Sequence, residues 1–198
     1  MHYTKPSASR LLELMEQHIV ILDGAMGTMI QQHNLTEEDF RGKGFLEKTP
    51  EYLPESPLHG NNDLLSITRP DVIENIHLEF LKAGANILET NTFNANRISQ
   101  ADYSLQNKVP EINLAAVQVA RKAADCYRQQ IKLEGLPSDQ PIFIAGSIGP
   151  TNRTCSMSPD VNDPAYRAVT FDDVAPVSYT HLRAHETDSY LVCRLLLE

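Results

Sequence analysis

Nowhere in this 198-residue chain is there an apolar run of ~20 residues, the length a membrane span requires. The polar start Met1-His-Tyr-Thr-Lys-Pro-Ser7 leads into an amphipathic segment, Ala8 to Gln17, and not into an apolar signal core. Neither a membrane partner nor secretion is therefore expected, and a cytoplasmic location is. Basic residues are also scarce, with 17 Lys and Arg against 26 Asp and Glu and a formal net charge of -9. No basic stripe can displace phosphate counterions, which argues against a nucleic-acid partner. The cysteines Cys126, Cys155 and Cys193 are few, odd in number and far apart, so they form neither a disulfide framework nor a zinc-knuckle spacing. Ordinary reduced thiols fit a reducing cytosol. The spacing G-x-G-x-x-G of a dinucleotide fingerprint is missing as well. Two sequons, Asn34-Leu-Thr36 and Asn152-Arg-Thr154, read as loop chemistry in the absence of a secretory signal.

What is present is a repeated design. His18-Ile-Val-Ile-Leu-Asp-Gly-Ala-Met-Gly-Thr28 runs from an apolar stretch into Asp23 and paired glycines, Ala85-Asn-Ile-Leu-Glu-Thr-Asn-Thr-Phe-Asn-Ala-Asn96 into Glu89 and Asn91, and Pro141-Ile-Phe-Ile-Ala-Gly-Ser-Ile-Gly-Pro-Thr-Asn-Arg-Thr154 into a Gly- and Asn-rich loop. Short apolar runs that end this way suit buried parallel strands presenting polar groups at their carboxyl ends. Helical periodicity separates them. Leu11, Leu12, Leu14 and Met15 form one stripe, with Ser7 or Ser9 as cap. Val72, Ile73, Ile76, Phe80 and Leu81 form a second, opened by Pro70 and Asp71 and closed by Gly84. Ile112, Ala115, Ala116, Val119 and Ala123 form a third, within Glu111 to Gln130. The alternation predicts an α/β fold with a parallel sheet and right-handed crossovers. Between Gln31 and Asp63 the chain is polar and rich in Gly and Pro, with Phe40, Phe45 and Tyr52 as anchors, which reads as a rim loop.

The three strand ends suit one small zwitterionic ligand. Asp23-Gly-Ala-Met-Gly-Thr28 offers exposed backbone N–H groups that can hold a carboxylate. Glu89 is placed either to pair with a substrate ammonium or to bridge to a neighbouring strand, and Asp23 has the same two options. Asn91 and Thr92 can donate or accept hydrogen bonds, Phe93 completes that word, and Ser147, Thr151 and Asn152 either bind ligand or stabilise their loop. No catalytic residue and no metal ligand emerges. His181 and His185 stand at i, i+4, but H-E-x-x-H is missing, and Cys155 has no neighbouring base.

The words DGAMGT, GNNDLL at Gly60 to Leu65, ETNTFNAN, GSIGPTNRT and SPDVNDPAYR, in this order, resemble the N-terminal homocysteine-binding (homocysteine S-methyltransferase) domain of the cobalamin-dependent methionine synthase family. The resemblance covers roughly Leu11 to Val174. It implies a TIM (β/α)8 barrel, of which this chain holds about the first three βα units. It implies that Gly24, Ala25 and Met26 contact homocysteine, and that the parent enzyme forms methionine by methyl transfer from methylcobalamin, ultimately from methyltetrahydrofolate. In that family zinc, held by three cysteine thiolates, activates the homocysteine thiol. Those ligands and the folate and cobalamin domains lie outside this chain, which is expected to be inactive by itself. A homocysteine methyltransferase using S-methylmethionine or betaine, and a non-catalytic small-molecule-binding module, are the alternative readings.

The end of the chain departs from this pattern. Phe171-Asp-Asp-Val174 should open a third crossover helix, but residues 175–198 resemble a translation of sequencing-adapter DNA. The expected division is therefore a partial barrel over 1–174 and a non-native, artefactual tail over 175–198.

Overall fold

In the computed structural model of the chain, residues 8–42, 55–136 and 141–175 are described. Helix α1 spans Ala8–Gln17. It starts before Ser9, and of its expected stripe Leu11 is buried while Leu12 and Met15 are half exposed. The strand expected at Ile19 to Leu22 shrinks to one parallel bridge between Leu22 and Ile87. Asn86 N–H and Ile87 N–H donate to Ile21 C=O at 2.8 and 3.1 Å, and Ile21 N–H donates to Asn86 Oδ1 at 3.0 Å. This segment is not buried as expected: Ile19 is 91% exposed and Leu22 49%. Apolar character marks a strand that needs cover, and among the described residues only the Ile87 side provides it.

After the helices α2 (Met26–Gln32) and α3 (Glu37–Arg41), a 3₁₀ turn at Asn62–Leu64 runs directly into α4 (Leu65–Thr68). The expected rim loop is thus partly helical. Thr36 and Asp39 form a capping box on α3, which accounts for its start, and Phe40 is a buried anchor as read from the sequence. Phe45 and Tyr52 lie outside the described residues.

Helix α5 (Pro70–Lys82) opens on Pro at its first turn and buries Val72, Ile73, Ile76, His77, Leu78 and Leu81 along one face. It ends in a Schellman motif, with Ala85 N–H on Phe80 C=O and Gly84 N–H on Leu81 C=O, both at 3.0 Å. That turn requires the left-handed backbone of Gly84, φ 103°. The chain then enters β1 (Ile87–Glu89), the short α6 (Arg97–Ala101), the long α7 (Val109–Leu133) and β2 (Phe143–Ala145). Helix α7 overruns its expected bounds at both ends, starting on Val109 with Pro110 behind it and stopping before Gly135, φ 70°.

β1 and β2 pair in parallel, with Ile87 opposite Phe143, Leu88 opposite Ile144 and Glu89 opposite Ala145. With the Leu22 bridge on the other side of β1, the three segments run in one direction in sequence order. Alternation along β1 turns Leu88 into the helix layer, where it packs with Leu81, Ala124 and Ile142, and sends Ile87 and Glu89 to the opposite face. A larger cluster joins Ile73 and Ile76 of α5 to Ile112 and Val119 of α7. Each such buried side chain contributes ~1.5–3 kcal/mol, and the alanines of α7 at 116, 120 and 123 let the two helices approach closely. Residues 171–175 form a helical turn, while the rest of the tail, 176–198, with His181, His185 and Cys193, falls outside the described residues. Among the described residues no helix is long and apolar enough to cross a membrane.

Candidate functional site

Parallel strands in sequence order bring their carboxyl ends together, and a cavity of about 210 Å³ opens there. Its walls are residues 23–27 after the Leu22 bridge, residues 89–93 at the end of β1, and Ser147 just past β2. The expected site residues meet at this cavity, apart from Thr151 and Asn152. The Asn152 side chain is exposed and donates to Asp102 Oδ2 at 2.5 Å, beside Arg153, which reaches Asp102 Oδ1 at 3.2 Å. Thr151 bonds within its own loop, its hydroxyl donating to Arg153 C=O at 2.7 Å. The described residues of the expected rim loop, 31–42 and 55–63, line none of the cavity.

The first wall is shaped by backbone. Ala25 adopts φ 53°, ψ 26°, a left-handed conformation that costs a non-glycine residue energy and that turns the chain into α2. The N–H groups of Met26 and Gly27 stand in the first helical turn, where no intrahelical acceptor exists. Asp23 precedes them, its side chain buried. Its Oδ1 accepts the Glu89 N–H at 2.7 Å, and its own N–H donates to Ile87 C=O at 2.9 Å, so the acid ties the first wall to the second.

Glu89 projects from the sheet face opposite the core, partly buried, and no described group donates to its carboxylate. Burial, and then the Asp23 charge, raise its pKa above the ordinary glutamate value. A cation in the cavity would relieve both effects. Asn91 and Thr92 are more committed. The Asn91 amide donates to Asn62 C=O at 2.7 Å and to Ser66 Oγ at 3.3 Å, leaving its Oδ1 without a donor. Thr92 Oγ1 donates its one proton to Ser147 C=O at 2.8 Å, so in the 2.7 Å contact between Thr90 and Thr92 hydroxyls Thr90 must be the donor. Thr90 Oγ1 in turn accepts Ser147 N–H at 3.1 Å. This closed circuit locks the second wall to the third.

Phe93 is half exposed, and its C=O accepts Gly149 N–H at 3.0 Å. A Cβ on Gly149 would lie 2.4 Å from that oxygen and 2.7 Å from the ring, so glycine is required for this approach.

Sequence reasoning gave GNNDLL no task, and the structure shows that it supports the second wall from behind. Asn61 and Gln100 exchange two buried amide hydrogen bonds of 2.8 and 3.1 Å, and Gln100 also donates to Asn94 C=O at 3.2 Å. Asp63 Oδ1 accepts Asn94 N–H at 2.8 Å. Burial raises the Asp63 pKa from 3.8 to about 6, with the backbone N–H groups of Asn94 and Ala95 pulling the other way. Also missed was His77, which stands fully buried on α5 with Nδ1 3.6 Å from Asp23 Oδ2. Its position four residues from both Ile73 and Leu81 was the available signal, a polar ring in a core stripe. Among the described residues no three of His, Cys, Asp and Glu group closely enough to hold a metal ion. Cys126 is partly buried on α7 and Cys155 is exposed after β2.

The fold is of the α/β class, with a polar cavity at the carboxyl ends of parallel strands. The sequence profile of the homocysteine S-methyltransferases matches residues 20–189. This chain belongs to the homocysteine S-methyltransferase family. Among solved structures it is similar to the metallated form of the homocysteine methyltransferase MmuM from Escherichia coli, at 19% identity and TM-score 0.60, over 91% of this chain and 54% of that one. The oxidized form of the same enzyme matches at 23% identity and TM-score 0.48, over 71% of this chain and 40% of that one. The chain therefore spans about half the length of that solved relative, and the first likeness speaks for the fold alone.

Proposed function

We propose that this chain carries the amino-acid half of a homocysteine site, within a partial (β/α)8 barrel of about three βα units. Its parent would be a cytoplasmic enzyme of the methionine-synthase type that takes its methyl group from methylcobalamin and yields methionine. The observation that carries this reading is the pairing of an unpartnered, partly buried Glu89 with the open N–H groups of Met26 and Gly27 across one small cavity. A zwitterion needs both, an acid for its ammonium and donors for its carboxylate. Family membership supports homocysteine as that zwitterion, and the words GSIGPTNRT and SPDVNDPAYR support the cobalamin branch over S-methylmethionine or betaine as donor.

In the binding step, Glu89 takes the ammonium, the glycine-flanked turn takes the carboxylate, and the Thr90, Thr92 and Ser147 circuit keeps the walls apart at a fixed distance. The side-chain thiol is left to point out of the described walls. Holding that thiol as a thiolate on zinc would need ligands from elsewhere, because the described residues offer no three-ligand group. Cobalamin and folate would likewise be held by other parts of the parent protein.

Titration calorimetry with L-homocysteine tests the reading. Binding is expected for the chain as it stands, with Glu89→Gln weakening it roughly tenfold or more, as loss of a charge-assisted hydrogen bond does. Affinity should fall as pH drops through the raised Glu89 value, because the protonated acid no longer attracts an ammonium. Equal affinity in the variant would remove Glu89 from the site. Equal binding of an amine lacking the carboxylate would remove the turn.

A further inference from the structure

His77 is fully buried, and neither of its ring nitrogens has a hydrogen-bond partner. Its Nδ1 lies 3.6 Å from Asp23 Oδ2, between side chains that are 0% and 3% exposed. The other Asp23 oxygen already holds the Glu89 N–H at 2.7 Å, and a buried carboxylate with one donor is short of partners. The two deficits meet across one small gap. With the ring proton on Nε2, two lone pairs would face each other there; with the proton on Nδ1, that N–H meets the Asp23 oxygen and only the Nε2 lone pair stays unpartnered.

We propose that His77 is a positioning residue of the cavity: protonated on Nδ1, it holds Asp23 Oδ2 and so fixes the carboxylate that joins the Gly24 turn to the end of β1. Asp23 is then clamped from behind by α5 and from the side by Glu89 N–H, and its orientation sets the distance between the two walls. The helix thereby transmits its packing directly to the ligand-facing turn. The effect on ligand rests on the homocysteine reading, whereas the His77 to Asp23 contact does not.

Two measurements on the full chain separate these. Long-range ¹H–¹⁵N correlation spectra of the ligand-free protein report which ring nitrogen of His77 carries a proton. The expected result is a protonated Nδ1 whose signal shifts in Asp23→Asn; an unprotonated Nδ1 in the wild-type chain overturns the inference. Homocysteine binding is then compared in His77→Asn, which keeps a donor near the Nδ1 position, and His77→Phe, which keeps a ring without a donor. The Kd should rise roughly tenfold in His77→Phe, the scale of one lost buried hydrogen bond, and stay within about threefold in His77→Asn. Equal weakening in both variants, or none in His77→Phe while the wild-type chain binds, overturns the inference and leaves the homocysteine reading standing. Failure of the wild-type chain to bind homocysteine overturns that reading, and the spectra still decide His77.

Discussion

The loop after β1 and the loop after β2 are both rich in Asn, Ser and Thr, yet the structure treats them differently. Residues 90–100 are held by partners far away in the sequence: Asn91 by Asn62 and Ser66, Asn94 by Asp63, Gln100 by Asn61. Most of residues 151–175 are exposed and bond chiefly among themselves, as Ser158 does with Asp160 and Asp163, and Thr170 with Asp173. A polar word becomes a wall when a second buried word satisfies its backbone and amides; without one it remains a set of local turns. GNNDLL is that second word for the first loop.

If this contrast is right, the largest effect should come from Asp63, the buried acid beneath the anchored loop. Its pKa is raised from 3.8 to about 6, so the folded chain binds its proton more tightly than the unfolded chain does. Stability from this group is fully present below the ordinary value and is lost as pH rises toward about 6, a change on the order of 3 kcal/mol. Denaturant melts at pH 4 and pH 7 should show that decline, and Asp63→Asn should flatten it. An unchanged slope would mean that Asp63 is not the titrating group.

Next in size is Gln100→Ala, which strands the Asn61 amide in the interior, whereas the Asn94 carbonyl keeps the Asn96 N–H at 2.8 Å. A loss of ~2 kcal/mol is expected by chemical denaturation, whereas a loss below the error of the melt would make the anchoring decorative. Gly149→Ala attacks a close contact between the two loops, where Gly149 N–H meets Phe93 C=O. Its Cβ cannot fit against Phe93 without displacing backbone, so ~1–2 kcal/mol of stability and a weakened homocysteine affinity should go together. The smallest effect belongs to Asn152→Ala in the second loop, within ~0.5 kcal/mol and without change in affinity. A larger effect there would give the exposed loop a role the contrast denies it.

Much of the anchored half was legible before any coordinates. Apolar runs ending in Asp23, Glu89 and Ser147 specify direction, and parallel strands in sequence order make three words converge, so most of the cavity wall follows from pattern alone. Partner choice was not legible. Nothing local says that Asn61 will meet Gln100 39 residues later, or that the Asn91 amide will be spent on Asn62. Periodicity assigns a face, and His77 lay hidden because its position reads as core. The same limit explains Ile19 to Leu22: a short, uninterrupted β-branched run identifies a strand, but whether a layer covers it depends on what packs there, and Ile19 is left open. Asn152 failed to join the cavity for the opposite reason, since an exposed loop follows the nearest available acid, Asp102.

Backbone amide shifts on adding L-homocysteine to ¹⁵N-labelled chain test the central claim most directly. The account predicts saturable changes concentrated at Gly24 to Gly27, Glu89 and Ser147, with residues 151–175 unmoved. Shifts centred on the second loop, or none at saturating ligand, would contradict it.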